Sequence, residues 1–551
     1  MAATAAIFHH PDAVERPTTP LAGRRTAGQS FLRGYARHVE AETLHCAAGQ
    51  PDHIDLFKEL MAENGWTGPV VGHLLAQPSA LSEPGTLMLP GPNLGSYAWT
   101  RRRAGQAHYA LCGITHTMST RRIMEGMTEM MMAPVESWDA VICTSRAVRS
   151  VVETQLNEIE QYISGRFAAR RVPRPQTPVI PLGIDTGQFA RNDAARARWR
   201  SKLGIGADDI AVMSMGRLTV SEKIHPGPMM LALQQAAEET GKHFVLLMVG
   251  WFNDAPTEKL HRDMATAFCP DVDVQFPDGK DDRLRYEIWS AADIFTLPVD
   301  NIQETYGLAP VEAMAAGLPV VCSDWNGFRD TIEHGVTGMR ARTLMASPGS
   351  GRAIAARFES GQDNYHQYLV QAHQRTAVDV PEMAAAFTAL ARDPDMRARM
   401  GAAGKDRARQ LYDWAAVVPQ YQALWADMTA RRLREMPSSA PRPDQFWNPN
   451  SIDPFRLYAQ YPTAILGPAA RLSAPRKVDD TELRKLMALT GAVAFKRMVA
   501  PAEDLAIIHH AIQTLGPVSY HELGQRTTAP AGTLEAAVLW MAKFDLVRIE
   551  T

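Results

Sequence analysis

The 551-residue sequence has few of the features of secreted, membrane-spanning or nucleic-acid-coating proteins. No apolar run reaches the ~18 residues of a membrane-spanning helix, and no basic segment precedes the short apolar stretch at the N-terminus. The 57 basic and 60 acidic side chains give a net charge of only −3, which offers no case for a nucleic-acid coat. The five cysteines have neither disulfide-framework nor zinc spacing: Cys46, Cys112, Cys143, Cys269 and Cys322. We expect a cytoplasmic protein.

Two series of short apolar runs alternate with helical patterns along the first 400 residues. The first series includes AAIFHH, GTLMLPG, HYALCGITH and AVICTS, and the second includes DIAVMSMG, HFVLLMVG, DVDVQF, ADIFTLPV and LPVVCSD. Such alternation predicts parallel sheets covered by helices, and the connector TPVIPLGIDTGQF separates the two series. The sequence therefore predicts an α/β fold of two facing Rossmann-like domains, residues 1–184 and residues 185–400.

The sequence pattern changes twice within the last 150 residues. Residues 401–435 are helical and Arg-rich, and we expect them to return to the N-terminal domain. Residues 436–478 contain too many prolines for a regular helix or a central strand, which indicates an extended linker. Residues 479–551 read as three helices and a short strand, an order similar to a winged helix-turn-helix.

The segment ADIFTLPVDNIQETYGLAPVEAMAAGLPVV carries the strongest chemical signal. A buried strand is followed by a polar loop and a helix that we expect to begin near Pro310. The exposed N–H groups near Gly307, Leu308 and Ala309, with the helix dipole, suit a phosphate. Two carboxylates flank them, Glu304 in the loop and Glu312 in the expected first turn, and these oxygens are acceptors for sugar hydroxyls.

In this setting, ETYGLAPVE resembles the E-x7-E signature of the retaining glycosyltransferases of family 4. The resemblance implies a GT-B fold, in which Glu304 holds the donor hexose and Glu312 holds the ribose hydroxyls. It also implies a nucleotide-sugar donor and no obligate metal or other cofactor. Two unrelated acids, one in solvent and one stabilised by the helix dipole, are an alternative, and a glycosidase-like acid and base pair is another.

A second match lies upstream in MSMGRLTVSEK. Arg217 and Lys223 follow Gly216 at a strand end, where two cations neutralise a diphosphate and stabilise it as it departs. This pattern resembles the phosphate clamp of the same family, although a solvated basic loop is the simpler alternative. Gly250, in MVGWF, resembles the turn that lines the nucleotide pocket.

Three further segments resemble the family less closely. Gly28, in AGRRTAGQSF, matches a first-loop glycine that approaches the donor diphosphate. His116, in GITHT, matches a histidine on the acceptor side, with a purely structural histidine as the alternative. Asn326 and Asp330 stand where the family has the first glycine and the glutamate of Gly-Gly-x-x-Glu.

The expected activity is therefore transfer of a hexose, with retained configuration, from a nucleoside-diphosphate sugar to a hydroxyl or similar nucleophile. A UDP-sugar is the favoured donor, and the acceptor is a sugar, a lipid, a small molecule or a protein. One alternative is a sugar phosphorylase or nucleotide-sugar epimerase of the same fold. Another is a non-catalytic sugar-nucleotide sensor that acts through the C-terminal domain.

The C-terminal domain lacks the charge expected of a DNA-binding module. Residues 501–551 contain three basic side chains, Arg526, Lys543 and Arg548, against six acidic ones. Phosphate contacts need several cations, and the helix GTLEAAVLWMAKF has a single lysine. We therefore expect residues 479–551 to mediate self-association or to bind a protein partner, and we consider DNA unlikely to be its ligand.

Overall fold

The computed structural model describes residues 4–13, 23–280, 282–435, 448–489 and 500–551. The chain divides into two compact units, Met1–Asn448 and Pro449–Thr551. Two parallel six-stranded sheets with flanking helices form the first unit, so the predicted α/β fold with two Rossmann-like domains is confirmed.

The N-terminal sheet has the strand order β3-β2-β1-β4-β5-β6. Its strands are β1 Ala6–Phe8, β2 Leu44–Ala48, β3 Val70–Leu74, β4 Thr86–Met88, β5 Ala110–Ile114 and β6 Ala140–Ile142. Its helices are α1 Gly23–His38, α2 Pro51–Glu63, α3 Gly95–Ala104, α4 Arg121–Met132 and α5 Arg146–Phe167. Every residue of β2 and β5 is buried because helices cover both faces of the sheet.

The C-terminal sheet has the order β12-β11-β10-β7-β8-β9. Its strands are β7 Ile210–Arg217, β8 Phe244–Trp251, β9 Val272–Gln275, β10 Ile294–Leu297, β11 Val320–Ser323 and β12 Gly338–Ala341. The helices are α6 Asp193–Lys202, α7 Pro226–Thr240, α8 Ala255–Phe268, α9 Asp282–Glu287, α10 Leu308–Ala315, α11 Phe328–Thr331, α14 Val380–Arg392 and α15 Pro394–Arg407. When its strands are numbered one to six from β7, the C-terminal sheet has the same strand order as the N-terminal sheet.

A hairpin insertion, residues 343–378, follows β12. Its two strands, β13 Thr343–Met345 and β14 Thr376–Val378, pair antiparallel. Between them lie the helices α12 Arg352–Glu359 and α13 Tyr365–His373. The two helices lie outside the six-stranded sheet.

The chain returns to the N-terminal domain at a position later than predicted. Residues near 401 still pack on the C-terminal domain, since a Cβ on Gly401 would lie 2.0 Å from the Gly317 carbonyl oxygen. The crossing lies at Tyr412–Trp414, where the backbones of Tyr412 and Trp414 pair with Ile184. Helix α16 Trp414–Glu435 then packs Trp414 and Trp425 into the N-terminal core beside α1.

The second unit is an α/β module with its own core. It contains α17 Pro454–Leu457, β15 Arg471–Ser473, α18 Asp480–Leu489, α19 Ala502–Leu515, β16 Val518–Ser519, α20 Tyr520–Arg526, α21 Ala531–Lys543 and β17 Arg548–Glu550. Strand β15 is central in an antiparallel sheet of order β16-β15-β17, and its Leu472 is fully buried. The predicted linker 436–478 therefore contains a core strand, while its residues 436–447 lie outside the described residues.

All five cysteines are buried and unpaired. Within the described ranges, no helix combines the length and the apolar character that crossing a membrane requires.

Candidate functional site

Glycines line the carboxyl ends of β7 and β8, where side chains would otherwise fill the space. Gly216 and Gly250 are register partners, and a Cβ on Gly250 would lie 1.9 Å from the Gly216 carbonyl oxygen. Gly279 donates its N–H to the Gly250 carbonyl at 2.9 Å, and its own Cβ would lie 2.9 Å from the Gly250 Cα. Three backbone segments thus pack closely at these strand ends, where a side chain at Gly250 or Gly279 would clash with the neighbouring main chain.

Both predicted cations follow β7, and each is paired with a carboxylate. Lys223 Nζ lies 2.6 Å from Glu304 Oε2. Arg217 Nη1 is paired with Glu222 Oε2. The structure therefore brings Lys223 and Glu304 together, as the sequence predicts for a single site, and adds Glu222, which the sequence analysis missed. Glu222 has only a weak sequence signal, its position next to Lys223.

The Glu304 carboxylate is held in its ionised form. Burial raises the pKa of such a group, but Lys223 and the N–H groups of Thr305 and Tyr306 more than offset this effect, so the Glu304 pKa lies below its ordinary value. Those two N–H groups donate to Glu304 Oε1 at 3.2 and 3.4 Å. The side chain is only 15% exposed, so the carboxylate is mostly buried.

Helix α10 begins two residues earlier than predicted. Gly307 precedes it with φ +86°, and a Cβ there would lie 2.1 Å from Cε1 of the buried Phe328. Leu308 is the first helical residue and Pro310 the third, where the missing proline N–H still costs no helical hydrogen bond. The N–H groups near Gly307, Leu308 and Ala309 therefore lie at the helix N-terminus, as predicted.

Because the helix starts early, Glu312 is its fifth residue and lies in the second turn rather than the first. Its side chain is half-buried. Burial raises the pKa of the Glu312 carboxyl to about 7, although Arg285 and Lys223 act in the opposite direction. Arg285, on α9, donates to Thr26 Oγ1 at 3.2 Å and was not predicted, because an isolated arginine in a helix carries no sequence signal.

The residues that depart from the Gly-Gly-x-x-Glu pattern have defined roles. Asn326 adopts φ +36°, a conformation that asparagine tolerates, and its Nδ2 donates to the Glu304 carbonyl at 2.9 Å. Asp330 accepts two hydrogen bonds from Arg146 at the N-terminus of α5, both at 2.7 Å. Asn326 therefore supports the Glu304 loop, and Asp330 links the two domains.

A second contact between the domains lies at the same loop. Ser145 Oγ, at the N-terminus of α5, donates to the Thr305 carbonyl at 2.9 Å. The Tyr306 hydroxyl donates to the Leu182 carbonyl, also at 2.9 Å. Sequence analysis identified neither pair because the partners are more than 120 residues apart in the chain.

Gly28 and His116 lie apart from the cations, in a cavity of about 410 Å³ in the N-terminal domain. His116 is half-buried after β5, and its Nε2 lies 2.9 Å from the Pro90 carbonyl oxygen. Gly28 lies within α1 rather than in a loop before a helix, which corrects that expectation. Most of the cavity wall is apolar, and it includes Phe31, Leu89, Ile114, Trp414 and Tyr421.

Within the described ranges, one group of side chains has the spacing of metal ligands: His45, His73 and Glu83. His45 Nδ1 and His73 Nε2 lie 3.0 Å apart on the neighbouring strands β2 and β3, and burial lowers the pKa of both imidazoles. The two rings satisfy each other with a hydrogen bond. The group belongs to the opposite sheet from Arg217 and Glu304 and supplies nothing to their site.

Part of the chain is similar in sequence to known glycosyltransferases. Residues 195–360 match the family model of glycosyl transferases group 1. A D-inositol 3-phosphate glycosyltransferase of Corynebacterium efficiens is 26% identical over 256 residues, 46% of this chain and 51% of that protein. A D-inositol 3-phosphate glycosyltransferase of Thermobispora bispora is 23% identical over 427 residues, 73% of this chain and 88% of that protein.

Among solved structures, Anabaena Alr3699/HepE in complex with UDP superposes with a TM-score of 0.50 at 16% identity, covering 77% of this chain and 100% of that one. At this identity the similarity shows the fold alone. The chain spans about half the length of the first relatives that it matches, including the Corynebacterium protein. The predicted resemblance to family 4 glycosyltransferases and the predicted GT-B fold are confirmed, and residues 195–360 match the family model of glycosyl transferases group 1.

Proposed function

We propose that the protein is a retaining glycosyltransferase that moves a hexose from a nucleoside-diphosphate sugar to an acceptor hydroxyl or similar nucleophile. The observation that carries this proposal is the clustering of Arg217, Lys223 and Glu304 near the carboxyl ends of β7 and β10, beside the N-terminus of α10. Cations and free N–H groups suit a diphosphate, and the adjoining carboxylate suits sugar hydroxyls. UDP-sugars are the first donors to test, since the Anabaena structure holds UDP.

In this proposal the donor diphosphate lies over Gly216 and Gly250 and interacts with Arg217 and Lys223. As the bond from the anomeric carbon to the diphosphate breaks, negative charge grows on the departing oxygen. Fixed cations and helix N–H groups stabilise that charge more than they stabilise the intact donor, which lowers the barrier. The protein cations supply this charge, so the proposal requires no metal.

Glu304 and Glu312 orient the donor from either side of the helix terminus. Glu304 is ionised and accepts hydrogen bonds from hexose hydroxyls, while Glu312 accepts them from the ribose. The acceptor approaches from the N-terminal domain, where His116 orients its nucleophilic oxygen at the mouth of the apolar cavity. Contacts between the domains at Thr305 and Tyr306 keep water out of the cleft.

Isothermal titration with UDP-, GDP- and ADP-sugars tests the donor site. We expect one nucleotide class to bind the parent protein and Glu304→Gln or Arg217→Ala to weaken that binding at least tenfold. The matched control is Glu239→Gln, which removes an exposed glutamate near the C-terminal end of α7 that is paired with Arg392 of α14. Equal binding by all four proteins would contradict the proposal.

Turnover is tested next, with the bound donor and a panel of sugars, lipids and inositol phosphates as acceptors. We expect transfer in the presence of EDTA, with the anomeric configuration retained in NMR spectra. A requirement for inorganic phosphate would indicate a phosphorylase, and product without acceptor would indicate an epimerase. Donor binding with no turnover on any acceptor would instead favour a sensor.

We propose that the second unit binds protein, through self-association or a partner. Exposed apolar side chains around α17 support this role, with Phe455 79% and Tyr461 82% exposed. Sedimentation of the full chain should show an oligomer that Phe455→Glu with Tyr461→Glu reduces, or a monomer if the partner is another protein. Salt-sensitive binding of a DNA duplex would contradict it.

A further inference from the structure

Glu222 is an acid within the donor site that has no role in the proposal above. Its Oε2 is paired with Arg217, and its Oε1 lies 3.0 Å from Nδ1 of His366. The Glu222 side chain is only 12% exposed, against 34% for Arg217 and 58% for His366. The carboxylate therefore lies inside the site, held on both oxygens.

The main chain around Glu222 is also held in position. Asn301, in the loop after β10, donates from Nδ2 to the Ser221 carbonyl at 2.8 Å. Lys223 donates its N–H to the Thr219 carbonyl at 3.3 Å. These hydrogen bonds hold the main chain on both sides of Glu222.

His366 belongs to the hairpin insertion, which is internally rigid at this point. Asn364 and Gln367 form a reciprocal cap at the start of α13. Asp363 joins the two helices by accepting from Arg357 at 2.6 Å and from Gln371 at 2.5 Å. The position of His366 is therefore set by the fold of the insertion.

The insertion also contacts the N-terminal domain, next to His366. The Tyr365 hydroxyl lies 2.8 Å from Ser119 Oγ, three residues beyond His116. Arg121, at the start of α4, donates to the Glu359 carbonyl. Tyr365 thus contacts the N-terminal domain, and the next residue, His366, contacts Glu222 in the loop after Arg217.

We propose that Glu222, held by His366 of the hairpin insertion, is a positioning residue for Arg217. The inference rests on the proposed function, since Arg217 matters there as a diphosphate ligand. An arginine side chain loses much rotamer freedom when it binds a ligand, and a fixed carboxylate reduces that loss by restricting it beforehand. A guanidinium carries five N–H donors, so pairing with Glu222 leaves donors for phosphate.

Phenylglyoxal labelling of the ligand-free protein, followed by peptide mass spectrometry, tests whether Glu222 restricts Arg217 in the absence of any nucleotide. Arg217 should react several-fold faster in Glu222→Gln than in the parent protein, and about twofold faster in His366→Gln. The control Glu239→Gln should accelerate Arg392 alone. An unchanged Arg217 rate in both test variants would overturn the proposal.

UDP titration tests the consequence for the donor. Glu222→Gln should bind UDP about tenfold more weakly than the parent, since a mobile arginine must be ordered on binding. In an Arg217→Ala background the same substitution should add almost nothing, which a purely structural role would not produce. Tighter UDP binding by Glu222→Gln would show instead that the carboxylate competes with the diphosphate, and would overturn the proposal.

The two experiments separate this inference from the proposed function. If no nucleotide binds the parent protein but Arg217 labelling accelerates in Glu222→Gln, the donor proposal fails while the restriction of Arg217 by Glu222 stands. If UDP binds but neither the Arg217 labelling nor the UDP affinity responds to Glu222→Gln, the donor proposal stands and the positioning role is wrong.

Discussion

The two sheets of the first unit share one strand order but have different chemistry at their carboxyl ends. In each, the first and fourth strands in chain order are neighbours, and the cleft opens there: β1 with β4, and β7 with β10. The N-terminal cleft is an apolar cavity that His116 borders. The carboxyl end of the C-terminal sheet has closely packed glycines and two ion pairs, Arg217 with Glu222 and Lys223 with Glu304.

This difference shows that strand order determines where a crevice lies, whereas the loop residues determine what it can bind. In open α/β sheets the strand order reverses at one point, and the loops there diverge to leave a crevice. Both sheets have such a crevice because both have the same order. Its ligand depends on the loop residues, and the proposed function assigns the donor diphosphate to the C-terminal crevice and the acceptor to the N-terminal one.

The largest expected effect contrasts Lys223 with His116. Lys223→Met removes a cation and leaves the mostly buried Glu304 carboxylate unpaired, so UDP affinity should fall about 100-fold. His116→Asn, in the other crevice, should leave UDP affinity within about twofold. Isothermal titration measures both. A similar loss in the two variants would show that the crevices do not divide donor from acceptor as proposed.

The next contrast uses one glycine from the segment that follows the fourth strand of each sheet. Gly307→Ala introduces a Cβ 2.1 Å from Phe328 at φ +86°, so strain and overpacking should cost about 2 kcal/mol in urea unfolding. Gly91→Ala, where a Cβ meets nothing within 4 Å, should cost less than about 0.5 kcal/mol. Equal losses would mean that the backbone at Gly307 is not constrained as described.

A third contrast lies between the two acids of the C-terminal crevice and depends on pH. Folding raises the Glu312 pKa from 4.5 to about 7, so its stabilising contribution is complete below pH 4.5 and is lost as the pH rises through 7. Glu312→Gln should therefore gain about 1–2 kcal/mol in unfolding free energy, relative to the parent, between pH 5 and pH 8.

Glu304→Gln is the matched control for that measurement. Its folded pKa is lowered, so its contribution is present above the ordinary value of 4.5 and is lost only as the pH falls through the folded pKa. The difference between this variant and the parent should be the same at pH 5 and at pH 8. A pH-independent Glu312→Gln difference would contradict the raised pKa.

The smallest expected effect concerns Asn326, which replaces a family glycine. Asn326→Gly relieves the positive φ but loses the hydrogen bond to the Glu304 carbonyl, so stability should change by less than about 0.5 kcal/mol. Asn326→Ala keeps the strain and loses the bond, and should cost about 1 kcal/mol. Thermal unfolding of the two variants checks this order.

Much of the fold was predictable because it depends on local pattern. Nine of the strands, β1 and β4 to β11, coincide with apolar runs bounded by glycine, proline or aspartate. Strands β2 and β3 were not identified, since LHCAA and VVGHL each contain a histidine, and the two histidines meet only when the strands pair. The core strand β15 was assigned to a linker because prolines surround it.

The sequence by itself determined the two-sheet architecture and the donor-side candidates from Gly216 to Glu312, because each signal lies within a few residues of a strand end. Only the tertiary structure decided which polar and charged groups are partners. Glu222 with His366, Ser145 with Thr305 and Asp330 with Arg146 join segments 144 to 184 residues apart. A single sequence contains no periodicity that records such contacts. Burial, a property of the assembled core, raises the pKa of both Glu304 and Glu312, and only at Glu304 do Lys223 and two backbone N–H groups more than offset it.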